Sequence, residues 1–246
     1  VYQKNQDITD SIEYAQRIQW AMFTSEEYIR KYIHDFFIFH RPRNIVSGDF
    51  YWALEKDGFF YIATADCTGH GVPGAMLSML GLSFLNEIII EQHILSPEKI
   101  VDALRSEIIN RLNPGEKQTI QDGMDMGLCR YNFKEMRVEF AGANRPLWVA
   151  RNGEIIEYAG DRMPVGAGAW GEKPFSLQTI NLQKGDMVYA FTDGIVDQYG
   201  GAKNKKFKSK NLNALLVSIA GKPAEEQKDS LAKIFDTWKG GVEQTD

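Results

Sequence analysis

Three aspartates stand where a chain ordinarily avoids charge. Asp49 follows Ser47-Gly48 and opens the run FYWALE, Asp66 closes FFYIATA, and Asp193 closes MVYAFT and precedes Gly194. A bare carboxylate at the edge of an apolar core is costly unless it is paired or bound to metal. The adjoining glycines let a ligand come close to the backbone. With no His or Cys cluster at ligand spacing, an oxygen donor set suits a hard cation, Mg2+ or Mn2+, and is a poor fit for zinc or copper. Two such ions sharing a carboxylate can hold a bridging water, lower its pKa and aim it at phosphorus while neutralising phosphate charge. That chemistry is phosphomonoester hydrolysis without a covalent enzyme intermediate. Asp-Gly pairs also form turns for their own reasons, and spacing alone leaves that reading open.

Periodicity supplies the elements that must position these acids. From Asp7 to Phe23, Ile8, Ile12, Ala15, Ile18, Gln19 and Met22 recur at three- and four-residue spacings, which predicts an amphipathic helix capped at Asp7 or Ser11. The stripe predicts packing on the body that follows. Tyr14 and Trp20, off the stripe, keep a partner-facing coil as the alternative. HDFFIFH (34 to 40), DFYWALE (49 to 55) and FFYIATAD (59 to 66) are aromatic and β-branched and read as strands of a meander, with a hairpin turn at Asp57-Gly58. Pro73 opens an apolar helix over 74 to 91, predicted to lie buried between layers. Ser96-Pro97-Glu98 opens a second helix that stops at Asn113-Pro114-Gly115. MDMGLCRY, MRVEFAGA, PLWVARN, EIIEYAG, FSLQTINL and DMVYAFTD read as further strands, with a tight turn at Asn152-Gly153. Helices follow at about 211 to 220 and 223 to 238. Short connections make the pairing mainly antiparallel.

The composition bounds the function. With 246 residues and 43% hydrophobic side chains, the chain can bury one substantial core. Its 28 basic and 33 acidic residues leave a net charge of −5, which argues against a nucleic-acid surface. Cys67 and Cys129 form no CxxC pair and no disulfide framework, so a reducing cytoplasm is the expected location. The longest apolar stretch, about Ala75 to Ile90, is interrupted by polar residues and falls short of a membrane span. A start at Val1 and an end at QTD suggest a piece of a longer protein, which upstream segments could tether to a membrane.

In order along the chain, RPRNIVSGDFYW, IATADCTGHGVPGAMLSML, DGMDMGLCRY with AGANRPLW, YAFTDGIVDQ and the closing QTD resemble the SpoIIE/RsbU-like branch of the metal-dependent (PPM) serine/threonine phosphatases, from about Arg41 to Asp246. The resemblance implies an α+β fold: a PPM-type α-β-β-α sandwich of two mainly antiparallel sheets flanked by helices, with the last strand apparently missing. It implies that Asp49, Asp66 and Asp193 are the catalytic carboxylates and metal ligands. Asp66 would bridge two Mn2+ or Mg2+ ions, and the backbone carbonyl of Cys67 would complete the set. Asp246 would be the first acid of a terminal pair whose second member is absent. Gly48, Gly69, Gly194 and Asp125 would support the site, although a turn-capping role for Asp125 is equally open.

Other candidates carry less. Arg41 and Arg43 precede the first ligand and could grip phosphate through guanidinium forks, or be solvated loop residues. His70 falls four residues after Asp66, where eukaryotic relatives place a His two residues after the bridging acid, so it is read as packing or hydrogen bonding in its loop. Lys203, Lys205, Lys206, Lys208 and Lys210 read as a solvated loop that could dock an acidic or phosphorylated partner. Cys129 reads as strand core.

The resemblance implies a phosphatase acting on phosphoserine or phosphothreonine in a protein, and suggests partner-switching substrates of the STAS type, small anti-anti-sigma-like proteins. Residues 1 to 30 resemble a connector to an upstream sensor or repeat domain, with 31 to 246 as the phosphatase domain and a homodimer through the helix. The rival from another class is a catalytically silent module that binds a phosphorylated partner. Hydrolysis of small phosphoesters is a third reading.

Overall fold

The computed structural model describes residues 2 to 113, 121 to 168, 170 and 173 to 246. Helix α1 (Tyr2–Met22) and the short α2 (Glu26–Arg30) lead through an irregular extended segment into β1 (Phe50–Lys56) and β2 (Phe59–Cys67). The turn between these two strands places Asp57 and Gly58 at φ 54° and 81°, the left-handed geometry a tight hairpin needs. Then come α3 (Gly71–Asn86), which runs on as a π-helical turn over Glu87–Glu91, and α4 (Pro97–Leu112). Strands β3 (Gly123–Asn132), β4 (Arg137–Ala143), β5 (Leu147–Arg151), β6 (Glu154–Tyr158), β7 (Val165–Gly166), β8 (Gln178–Asn181) and β9 (Met187–Ala190) follow. A turn of helix, α5 (Gly194–Asp197), precedes the ribbon β10 (Tyr199–Gly200) and β11 (Lys205–Lys206), and α6 (Lys208–Ile219) and α7 (Ala224–Lys239) come last.

One sheet has the order β1-β2-β3-β4-β8 with β7 on β3, and the other is β6-β5-β9; every pairing between named strands is antiparallel. Side chains of a strand alternate between faces, and the alternation sorts the molecule into layers. Phe50, Trp52, Tyr61, Ala63, Ala65, Met124, Met126 and Leu128 face α3 and α4, where they meet Leu82, Leu85, Ile88, Ile100 and Leu104. Ala53, Phe60, Cys129, Val138 and Phe140 face the second sheet and pack on Leu147 and Val149. Trp148, Ala150 and Tyr189 turn outward onto α6 and α7 through Leu212, Leu216 and Leu231. The result is the α-β-β-α sandwich, as expected. Cys129 is strand core, also as expected, and burial pushes its thiol up to about 12.

Four expectations need correction. The run 34 to 40 is not a strand, although its side chains alternate like one: Phe36 and Ile38 pack in the layer between the sheets, and Phe37 and Phe39 pack toward α6 and α7. Its backbone simply lies outside both sheets. Helix α3 is an outer layer and not a helix between layers, since Val72, Met76, Leu80 and Ile90 are exposed. By length and composition Gly71–Glu91 would be enough to cross a membrane, but Leu82, Leu85, Ile88 and Ile89 on its inner side are closed against the first sheet and α4. Helix α1 begins at Tyr2, so Asp7 and Ser11 are interior residues joined by a hydrogen bond along the helix and not caps. Nor does the apolar stripe of α1 pack along its length: Ile8 and Ile18 are exposed, as are Tyr14 and Trp20 off the stripe, and the helix is held near its end by Gln19. The amide of Gln19 donates to Ser47 O (2.6 Å) and Ser78 Oγ (2.8 Å) and accepts from Ser47 N (3.0 Å), which ties α1 to α3 and to the approach to β1. The predicted stop at Pro114-Gly115 lies outside the described residues.

Candidate active site

The register of the first sheet explains why the acids meet. Asp49 immediately precedes β1, Asp66 is the last residue but one of β2, and Asp125 lies near the start of β3, directly opposite Asp66 in the pairing. All three fall on the alternate positions that face the second sheet. From the other side, β9 ends just before Thr192 and Asp193, and Thr192 Oγ1 donates to Asp49 Oδ2 at 2.9 Å across 143 residues of chain. The last residue, Asp246, completes the group: carboxylate oxygens of Asp49, Asp66 and Asp246 all lie within 4.8 Å of one another.

Glycines permit the close approach. A Cβ at Gly48 would lie 2.9 Å from Gly69 O and 3.3 Å from Cys67 O, so the Ser47-Gly48-Asp49 segment packs directly against the carbonyls that follow β2. Gly69 itself sits at φ 85°, which lets the chain turn from β2 into α3. Gly194 is less constrained, since a Cβ there would come no nearer than 3.7 Å to Asp246 Oδ2.

This crowding of like charges away from water has the expected electrostatic result. Burial raises the Asp66 carboxyl to about 8, the charges of Asp49 and Asp193 push the same way, and Arg145 opposes them. Burial and the charge of Asp246 raise Asp49 to about 6, against hydrogen bonds from Thr192 and to Asp66. Asp246 is raised too, first by burial and then by Asp193. Acids that resist ionisation together are acids that a divalent cation would relieve, and their donor set is all oxygen.

The residue that reasoning from sequence passed over is Arg145, within the quoted AGANRPLW. Its Nη2 lies 2.6 Å from Asp66 Oδ2, 2.7 Å from Asp193 Oδ2 and 3.4 Å from Asp125 Oδ2. Its backbone is set by the tight turn between β4 and β5. Asn144 adopts φ 56° and donates its amide to Asp125 at 2.8 Å, and a Cβ on Gly142 or Gly160 would lie 2.3 or 2.5 Å from Arg145 O. A surplus of strand-end carboxylates calls for a balancing cation, and that general demand was the one hint the sequence carried.

The remaining candidates are placed as follows. Arg41 pairs with Asp236 at 2.8 Å and lies over the Phe39 ring, and Arg43 bonds Glu243 at 3.3 Å and Thr245 O at 3.4 Å, where its charge reaches Asp246. Neither guanidinium bonds a site aspartate. His70 is exposed at the N-cap of α3 with no capping bond from its side chain, so it does not pack; its charge lowers the Asp246 pKa. Lys206 bonds Asp197 at 2.8 Å in the β10–β11 ribbon, and the other predicted lysines lie around that exposed loop. Asp122 is exposed.

Two stacked antiparallel sheets, a helical layer outside each, and an acid cluster where strands of both sheets end define a PP2C-type phosphatase fold. The chain belongs to the SpoIIE family: residues 56–246 match the family described as Stage II sporulation protein E. It is 23% identical over 236 residues to phosphoserine phosphatase RsbU of Bacillus subtilis, covering 94% of this chain and 67% of that protein. Among solved structures, the SiaA-PP2C domain of Pseudomonas aeruginosa superposes with a TM-score of 0.88 at 28% identity, covering all of this chain and 95% of that one. The PP2C phosphatase domain of SpoIIE from Bacillus subtilis, solved with a fragment of its regulatory domain, matches with a TM-score of 0.66 at 17% identity, over 84% of this chain and 58% of that one.

Proposed function

We propose that this chain is a divalent-metal-dependent phosphatase that hydrolyses phosphoserine or phosphothreonine on a protein. The observation that carries the reading is the convergence of Asp49, Asp66 and Asp246 to within 4.8 Å of one another in a chain of the SpoIIE family. Oxygen-only donors at this spacing fit Mg2+ or Mn2+. The ligands for two ions would be Asp49, Asp66 and Asp246 with Asp193 and the Cys67 carbonyl. When bound, such ions supply Lewis acidity: they make water acidic enough to attack phosphorus near neutral pH and offset the phosphate charge.

The chain's own contribution is placement. Thr192 fixes the orientation of Asp49, the β2–β3 register holds Asp66 beside Asp125, and Arg43 anchors the segment that carries Asp246. Arg43 is also the better placed of the two predicted phosphate-binding arginines, because its charge reaches Asp246, whereas Arg41 is turned to Asp236 and the Phe39 ring.

The name of the Bacillus relative, a phosphoserine phosphatase, supports phosphoserine as the group cleaved, and we infer that it is carried on a protein. We take that substrate to be a small STAS-type protein of a partner-switching pathway in the cytoplasm. Residues 1 to 30 would be the connector to an upstream sensor or repeat domain. The exposed Ile8 and Ile18 of α1 offer a face for a homodimer.

The test is hydrolysis of p-nitrophenyl phosphate and of a phosphoprotein, with Mn2+, with Mg2+ and with chelator, by the wild type and by Asp66→Asn. Turnover should require metal and fall about a thousandfold in the variant, the several kcal/mol that a metal site's charge stabilisation supplies. Turnover that persists in chelator or in Asp66→Asn would refute the reading. Tight binding of a phosphoprotein with no turnover under either metal would favour a silent module.

A further inference from the structure

The acid cluster has two unlike sides. On one, Asp49, Asp66 and Asp246 approach within 4.8 Å, and among the described residues no cationic side chain forms an ion pair with Asp49 or Asp246. On the other, the Arg145 guanidinium bonds Asp66 at 2.6 Å and Asp193 at 2.7 Å and lies 3.4 Å from Asp125. Asp193 is thus held by an internal cation on the side where the proposed second ion would bind.

We propose that Arg145 is a built-in counter-ion that competes with a divalent cation for the Asp66–Asp193 side of the site. This inference rests on the metal-dependent reading above.

Three observations make the arrangement a competition and not a fixed support. A single nitrogen, Nη2, makes all three carboxylate contacts, so the fork geometry that makes arginine–carboxylate pairs strong is unused. The Nε of Arg145 is buried without a hydrogen-bond partner, so the side chain gives up part of its hydrogen bonding to hold this position. The backbone is clamped: Asn144 N donates to Asp161 O at 2.8 Å, and Gly142 and Gly160 press on Arg145 O. Release of the acids therefore needs only side-chain rotation about a fixed point, with no movement of β4 or β5. Held by Arg145, Asp193 has its Oδ2 occupied, and a cation taking that oxygen must first displace the guanidinium. Once displaced, that guanidinium stays tethered at the rim of the site as a free anion-binding group.

Calorimetric titration of Mn2+ into the metal-free whole chain tests this, comparing wild type with Arg145→Gln and Arg145→Lys. Arg145→Gln is expected to bind its weaker ion about tenfold more tightly than wild type, the penalty a site suffers when its competent state is populated roughly one time in ten. Arg145→Lys, which keeps the charge, should stay close to wild type. Metal-free Arg145→Gln should melt at a lower temperature than wild type and gain more on adding Mn2+. Equal or weaker Mn2+ binding by a folded Arg145→Gln overturns the proposal while leaving the metal reading intact. No Mn2+ binding by any of the three overturns both. If Arg145→Gln does not fold, the NMR signal of the Arg145 Nε–H group in the wild type, assigned by its loss in Arg145→Lys, decides: it must shift as Mg2+ saturates the protein, and an unmoved signal refutes displacement.

Discussion

The two faces of β1, β2 and β3 are built from the same three strands and could hardly differ more. Toward α3 and α4, Trp52, Tyr61, Ala63, Ala65, Met124, Met126 and Leu128 are closed from solvent. Toward the second sheet, Tyr51, Ile62 and Thr64 border a cavity of about 490 Å3 that reaches Asp49 and Asp246, and the Thr64 hydroxyl is buried without a partner. The tight face fixes where the strand ends lie. The loose face carries the charges. A strand can hold a carboxylate against its electrostatic preference only because its alternate residues are locked in a core on the opposite side.

That contrast can be broken most strongly from the tight side. Leu85 is fully buried between α3 and the first sheet, and Leu85→Ala should cost about 2 to 5 kcal/mol, lowering Tm by roughly 10 °C. A loss under 1 kcal/mol, about the size of a surface change, would mean that the two faces are equally loose.

A smaller effect comes from the charges themselves. Asp49 at about 6 and Asp66 at about 8 both lie above an unfolded aspartate, near 3.9, so the folded metal-free chain holds extra protons between these values. The sign is that of a raised acid: the contribution to stability is present at low pH and is lost as pH rises from about 4 to about 8. In chelator, Tm at pH 8 should therefore be several degrees below Tm at pH 5, and Asp66→Asn should flatten the difference. A Tm that is higher at pH 8, or a pH dependence untouched by the substitution, would contradict the burial assigned to these acids. Least of all should come from Ile62→Ala, which enlarges an existing cavity where the side chain is only partly buried; about 1 kcal/mol is expected by urea unfolding, well below the Leu85 value.

The sequence reveals the tight face better than the loose one, for a physical reason. Strands and helices whose apolar side chains recur with the right period were readable: β1 and β2 with their Asp57-Gly58 turn, α4 after Ser96-Pro97, and the strands from Met124 to Ala190 lie where the pattern put them, although FSLQTINL contributes only Gln178–Asn181. The run 34 to 40 misled because side-chain alternation reports burial on two sides and says nothing about whether a neighbouring backbone is there to pair. Helix α1 misled because a stripe of Ile8, Ile12 and Ile18 shows that a face is apolar, not what covers it. Asp49, Asp66, Asp193 and Asp246 were legible as strand-end or motif acids and do lie together. Arg145 was not, since a lone arginine in a turn has no periodicity, and its place among three carboxylates follows from β4–β5 geometry fixed by Gly142, Asn144 and Gly160.

The wide separation of the site residues along the chain has a consequence in time. Asp66 and Asp246 are 180 residues apart, and at roughly 5 to 20 residues per second a ribosome needs about 9 to 36 s to deliver the second after the first. Through that interval the β1–β2 hairpin and its helices can form from local contacts, while the carboxylates at their ends wait for the partner strand that brings Thr192 and for Asp246. A nascent chain of this sequence therefore passes through a stage that has a core and no completed acid cluster.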